Sequence, residues 1–330
     1  MALGDIVLER GTGTVSAIVA GVTGGRFSHA LIWVGTGFIE AVPDGVRALS
    51  FARVPIVDRD RWLLLRPLQD HFGIGERAAE ETSRMVYKGY DAEGALRTVL
   101  GSRPAAAPTR LFCSQLVAEA YHRAGLDLLP SKRPEEVTPN MLAQSECLRR
   151  VELPLRRSDE VISGPYPLEF LDRSVAFKAS PMFREAEVTR ELYRSVEARL
   201  KAAPLPHGLA LPGNLGEVLD ILPSLDHLAR EEIADVLLTG MEALGYFNFL
   251  KPELQETWPQ IRNEAAWHAL VPGWRKTVDR FRNNAAAVDA IYQVWPHHLW
   301  RTLRTMHRHH VYVLEAFIAK ASGSDQLGAI

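Results

Sequence analysis

Cys113 stands in Leu111-Phe112-Cys113-Ser114-Gln115-Leu116-Val117, where a loop gives way to an apolar-periodic segment. The first turn of a helix leaves its amides unpaired and its dipole positive, which favours an anion. A thiol placed there loses its proton more readily, and the thiolate is the nucleophile. The amide of Cys113 could also donate to a developing oxyanion. The alternative is a small buried cysteine packed as an apolar residue.

A thiol nucleophile needs a base, and imidazole titrates near neutrality. His29 opens an apolar, β-rich segment, His29-Ala30-Leu31-Ile32-Trp33-Val34, and Glu40 follows eleven residues later. A two-residue type II′ turn at Gly35-Thr36 pairs Val34 with Gly37 and Leu31 with Glu40. His29 then shares a face with Leu31 and lies diagonal to Glu40, within reach of two long side chains. A three-residue loop, Gly35 to Gly37, would instead put His29 and Glu40 on opposite faces. In the first register the carboxylate would fix the imidazole tautomer and stabilise the imidazolium. Alone, His29 reads as a satisfied strand-edge histidine and Glu40 as a solvated strand residue.

The elements that must position these groups follow from alternation and turn signals. Strands are expected at 5–8, 29–34, 38–42, 46–51 and 61–66, and helices at 14–22, 76–86 and 92–100, the last capped by Asp91. A helix from Phe112 to Ala124 puts Leu116, Val117, Ala120, Tyr121 and Ala124 on one face, with Gly125 closing it. Thr138 and Pro139 open another, through about Cys147. Residues 149–178 read as closing strands and a linker. Beyond about Pro181 the pattern is helical: 184–203, 214–222, 230–244, 253–269, 274–294 and 298–321, ending in a loose tail. The expected organisation is α+β over 1–182 followed by an all-α domain over 183–330.

Composition narrows the function classes. The chain has 330 residues, 47% apolar and 24% charged, with a net charge of −2, which fits a globular protein. Positive and negative charge balance in both halves, so no field for nucleic acid is expected. Two cysteines do not make a disulfide framework and suggest a reducing compartment. The N-terminal residues lack the basic and apolar regions of a signal peptide, and the apolar run 15–22 is too short to span a bilayer. A cytoplasmic protein is expected, or one exported without a cleaved signal. No cofactor and no metal are expected. The histidines 297, 298, 307, 309 and 310 lack a repeated ligand spacing, and Arg301, Arg304 and Arg308 would repel a cation. Trp258, Trp267, Trp274, Trp295 and Trp300 read as helical core.

Several short motifs occur in a fixed order: Gly4-Asp5-Ile6-Val7, Phe27-Ser28-His29-Ala30-Leu31-Ile32-Trp33-Val34-Gly35, Ile39-Glu40-Ala41-Val42 with Gly45-Val46, Tyr90-Asp91, and Phe112-Cys113-Ser114-Gln115-Leu116-Val117 with Ala120-Tyr121. The series resembles the circularly permuted papain-like hydrolases of the NlpC superfamily, in particular the YiiX/YaeF-like group. The lecithin:retinol acyltransferases are more distant relatives of similar architecture. Val137-Thr138-Pro139-Asn140-Met141-Leu142 is similar to the group's helix after the cysteine. The resemblance spans about residues 4–180 and implies Cys113 as nucleophile, His29 as base and Glu40 as third polar member. Permutation accounts for His29 and Glu40 preceding the cysteine, the reverse of the papain order. Gln115 departs from the acidic residue expected there in many relatives.

Three function classes stay open at this point. The first is a cysteine hydrolase of amide bonds in a peptide, an isopeptide or a peptidoglycan stem. The second is a lipid acyltransferase or acyl-ester hydrolase using the same thioester, which a greasy groove near Phe27, Trp33 and Phe38 would favour. The third is a non-catalytic module whose helical domain binds a protein partner. Tyr87 or Tyr90 beside the thiol would be an oxyanion donor, whereas the plainer reading is a packed tyrosine before a capped helix.

Overall fold

The computed structural model describes residues 1–10, 25–50, 58–68, 73–99, 109–152, 180–249 and 264–321, with the single positions 54, 178 and 254. The helix expected at 14–22 and the loop at 102–108 lie outside the described residues. So do most of the 149–178 segment, most of the helix expected at 253–269, and Trp258. The chain divides into two compact units, Met1–Leu155 and Arg156–Ile330.

The first unit is α+β. Its strands are β1 (Ile6–Glu9), β2 (His29–Trp33), β3 (Gly37–Val42), β4 (Gly45–Ser50), β5 (Trp62–Pro67), β6 (Gly89–Tyr90), β7 (Arg110–Leu111) and β8 (Leu148–Val151). Its helices are α1 (Ile74–Arg84), α2 (Ala92–Val99), α3 (Cys113–Arg123) and α4 (Pro139–Ala143). Six strands form one antiparallel sheet in the order β4-β3-β2-β1-β5-β8. β6 and β7 make a separate two-stranded parallel pair.

Apolar residues of α3 explain its place. Leu116, Val117, Ala120, Tyr121 and Ala124 are all buried, in one core with Ile6, Leu8, Ala30, Ile32 and Ile39 of the central strands. That stripe is the face the periodicity predicts. The Tyr121 hydroxyl donates to the Gly4 carbonyl at 2.5 Å, fixing the helix to the start of β1. The helix closes with Gly125 N–H on the His122 carbonyl and Leu126 N–H on the Tyr121 carbonyl, the paired bonds of a Schellman turn.

Asp5 is fully buried at the head of β1. Its carboxylate receives Arg66 Nε at 2.6 Å and Arg66 Nη2 at 2.7 Å, and the Ala2 amide at 2.7 Å. Removing one partner of a buried pair strands the other. Arg66→Met is therefore expected to cost about 3 kcal/mol, measured as a lower urea midpoint with the slope unchanged.

α4 ends at Ala143 rather than near Cys147. Thr138 Oγ1 caps it by accepting the Met141 amide at 3.3 Å, as expected. The chain then turns because Ser145 Oγ donates to the Leu128 carbonyl at 2.6 Å and accepts the Cys147 amide at 3.2 Å. A serine that engages backbone in this way competes with helix continuation.

The second unit is helical: α5 (Pro181–Ala202), α6 (Leu215–Ile221), α7 (His227–Leu244), α8 (Glu264–Val294) and α9 (His298–Ala321). Val188, Leu192, Val196 and Leu200 line one face of α5 and pack with Val218, Ile233, Leu237, Met241, Leu299 and Leu303. Asn214 and Asp226 cap α6 and α7 through their side-chain oxygens. α8 runs through Pro272, where the sequence suggests a break between two helices. Proline's fixed φ suits a helix; it removes one backbone bond and crowds the preceding turn. Two residues beyond it, Trp274 packs against Phe317 of α9, with ring centroids 5.4 Å apart. Trp274, Trp295 and Trp300 are buried, as expected of core residues.

His307 and His310 are half-buried against Phe281, with ring centroids 5.7 and 4.8 Å away. Burial, reinforced by Arg280 for His307 and by the neighbouring histidines for His310, lowers each to about 4. Among the described residues, no helix is long and apolar enough to cross a membrane. Nor does any group of three or more His, Cys, Asp or Glu there have the geometry to hold a metal.

Candidate active site

The β2–β3 hairpin places His29 and Glu40. Val34 N–H donates to the Gly37 carbonyl at 3.0 Å, and Gly35 has φ +100°. Gly35 is the sole residue of the turn's centre with positive φ, as a type II′ turn requires. The strand register pairs Leu31 with Glu40, Ile32 with Ile39 and Trp33 with Phe38. His29 and Glu40 therefore share a face on the diagonal, the register of the two-residue turn. The His29 Nε2 lies 2.7 Å from Glu40 Oε2.

Helix α3 brings the thiol to this face. Cys113 is its first residue, with Phe112 as N-cap. Gln115 Oε1 reaches back to the Phe112 amide at 3.4 Å, so the neutral side chain serves the cap that an acid could serve. Ser114 Oγ donates to the Val137 carbonyl at 2.7 Å and anchors the first turn. The Cys113 thiol is hydrogen-bonded to His29 and also meets the amides of Ala30 and Ser114. With Nε2 committed to Glu40, the ring nitrogen facing sulfur is Nδ1.

The electrostatics follow from this arrangement. Burial pushes the Cys113 thiol up, but the His29 imidazolium and the two amides outweigh it and hold the thiol below its ordinary range. Burial pulls His29 down, but the Cys113 thiolate and then the Glu40 carboxylate more than offset that and raise it to about 10. The favoured state is a thiolate–imidazolium pair.

Sequence reasoning did not single out three further groups. Arg47 Nε and Nη2 donate to Glu40 Oε1 at 2.9 and 2.7 Å, and Glu40 is fully buried. Arg47 lies directly across from Glu40 in the β3–β4 register. The same hairpin counting could have found it, because Pro43-Asp44-Gly45 is a turn signal with glycine at the positive-φ position (φ +102°).

Asn140, at the second position of α4, accepts the Phe27 amide at 2.8 Å and donates to the Phe27 carbonyl at 2.9 Å. This clamp fixes the chain two residues before His29. A side chain on Gly25 would collide with it, since a Cβ there would fall 2.0 Å from Asn140 Cγ.

The third group is the Ala30 amide on sulfur, which has no sequence signal because every residue carries one.

Tyr90 reaches the site through the β6–β7 pair, which aligns it with Leu111. Lys88 helps to dock this strand: its carbonyl accepts the Val46 amide at 2.8 Å. Burial, then the Cys113 thiolate, then Asp91 raise the Tyr90 hydroxyl well above its ordinary range, so it stays protonated. Asp91 Oδ1 accepts the Gly94 amide at 2.9 Å and caps α2 as expected. Phe27, Trp33 and Phe38 are buried.

A scan against protein-family models finds no match, and a search of the curated proteins finds none. Among solved structures, the chain is similar to the crystal structure of the metalloprotein yiiX from Escherichia coli O157:H7. The match has 16% sequence identity and a TM-score of 0.37, covering 46% of this chain and 96% of that one.

Proposed function

We propose that the protein is a cysteine hydrolase that cleaves an amide bond through a thioester acyl-enzyme. The observation that carries this reading is the hydrogen-bonded series Cys113–His29–Glu40, with the thiol at a helix N-terminus. The Cys113 thiolate attacks the carbonyl carbon, and the carbonyl π pair moves to oxygen. The oxyanion sits against the Cys113 amide and the Tyr90 hydroxyl. Collapse re-forms the carbonyl and breaks the C–N bond, and the His29 imidazolium gives its proton to the leaving nitrogen. Neutral His29 then takes a proton from water, whose oxygen attacks the thioester and expels the thiolate as the acid forms.

An amide needs its leaving nitrogen protonated, and the His29 imidazolium, held by Glu40 at 2.7 Å, is placed to supply that proton. Phe27, Trp33 and Phe38 are buried rather than exposed to an acyl chain, which favours the amide reading over the lipid one. Tyr90→Phe is expected to lower kcat about 10²-fold with a small change in KM, since an oxyanion donor acts in the transition state.

The experiment is incubation of the full chain with peptide, peptidoglycan and phospholipid pools, with products read by mass spectrometry. New amine and carboxylate termini, absent with Cys113→Ala, support the reading. Release or transfer of fatty acyl chains alone would replace it with the lipid alternative.

A further inference from the structure

We infer that Arg47 is a positioning residue of the nucleophile site: by holding Glu40 as a buried anion, it keeps Cys113 ionised. The inference rests on the reading of Cys113 as nucleophile and assigns a fourth member to that site.

The geometry sets each charge in place. Glu40 is fully buried and the Arg47 side chain is 3% exposed. One carboxylate oxygen takes His29 Nε2 at 2.7 Å, and the other takes Arg47 Nε at 2.9 Å and Nη2 at 2.7 Å. The titratable and charged groups around the site come from several elements: Cys113 on α3, Tyr90 on β6, the buried Lys88 just before β6, whose carbonyl takes the Val46 amide beside Arg47, and Asp44 at the β3–β4 turn. Asp44 lies 3.6 Å from Arg47 Nη1 at the solvent edge.

The charge sum explains the arginine. Thiolate, imidazolium, carboxylate and guanidinium add to zero. Without Arg47 the other three carry one net negative charge, which a low-dielectric interior resists. Proton uptake relieves it in either of two ways. Glu40 can become neutral, so that His29 loses its anion, or Cys113 can remain a thiol. Both lower the thiolate fraction at neutral pH. A neutral amide in place of Glu40 would need no counter-ion. A buried carboxylate does, and the strand opposite supplies one.

The bland alternative is a cross-strand ion pair that only stabilises the sheet. Its loss would lower the melting temperature and leave the thiol's titration alone. The test is the rate of Cys113 alkylation by iodoacetamide as a function of pH, in full-length protein carrying Cys147→Ala so that one thiol reports. The variants are Arg47→Met, Arg47→Lys, Glu40→Gln, and Glu40→Gln combined with Arg47→Met.

Arg47→Met is expected to move the alkylation midpoint up by about 1 pH unit or more, with roughly a tenfold lower rate at pH 7. Arg47→Lys keeps the charge but not the fork, and should shift it by less than half as much. In the Glu40→Gln background, Arg47→Met should shift it by less than about 0.3 unit, because Arg47 acts through the carboxylate.

An unshifted profile in Arg47→Met, or an equal shift in both backgrounds, overturns the inference. If Arg47→Met does not fold, the double variant, which removes both buried charges together, is compared with Glu40→Gln alone. Coincident profiles then support the inference and separated ones overturn it. An ordinary thiol profile in the protein with Arg47 intact would instead defeat the reading of Cys113, and this inference with it.

Discussion

Cys113→Ala is expected to fold and to lose turnover by at least about 10⁴-fold. The substitution deletes one sulfur from a residue that is 8% exposed and packed in the core of the first unit. Its stability cost should be about 1 kcal/mol, because the cavity is small. His29 keeps its bond to Glu40, so the partner is not stranded. No neighbouring group can replace the thiolate, and the water left behind is a far weaker nucleophile toward an amide. Cys147→Ala is the matched control. Cys147 Sγ lies 3.7 Å from the Asp127 carbonyl, and the catalytic steps do not use it. Turnover assays and melting curves on the two variants separate chemistry from folding.

The second large effect is at His29. His29→Asn puts an amide nitrogen near the Nδ1 position without a titratable group. kcat/KM should fall by about 10³-fold, within the range for loss of a general acid–base. The thiol itself should also change. Its ionisation depends on the His29 imidazolium outweighing burial, so removing the ring leaves burial to push the thiol up. Alkylation at neutral pH should then slow at least tenfold, an effect that a merely structural histidine would not produce.

The sign of the pH dependence follows from the same pair. Cys113 has a lowered pKa when folded, so its stabilising contribution is lost as pH falls through that value. His29 has a raised pKa, so its contribution is lost as pH rises toward about 10. The thiolate–imidazolium state occupies the interval between, and the two steps belong to the pair as a whole.

Much of this site could be read from residue types and turn arithmetic. The Gly35-Thr36 turn determines which residue faces Glu40, and strand alternation then puts His29 on the same face. The stripe of α3 placed Cys113 at a helix mouth because helical periodicity and Gly125 bracket the segment.

Other parts were less legible, for physical reasons. Tyr90 depends on a two-residue parallel pair between segments about twenty residues apart, too short to carry a periodic signal. Asn140 acts on backbone 113 residues away, and local sequence does not report such contacts. α8 runs through Pro272, a local helix breaker, and Trp274 just beyond it packs on Phe317 of α9, a tertiary contact that local sequence does not report.

The most direct measurement is the pH dependence of Cys113 modification in the native chain. Limiting iodoacetamide is added from pH 4 to pH 10, and adducts are mapped by peptide mass spectrometry. Cys113 should react with a midpoint below that of an ordinary thiol near 8.5, and denaturation in urea should abolish the difference. A midpoint at or above that of an ordinary thiol, with the fold intact, would contradict this.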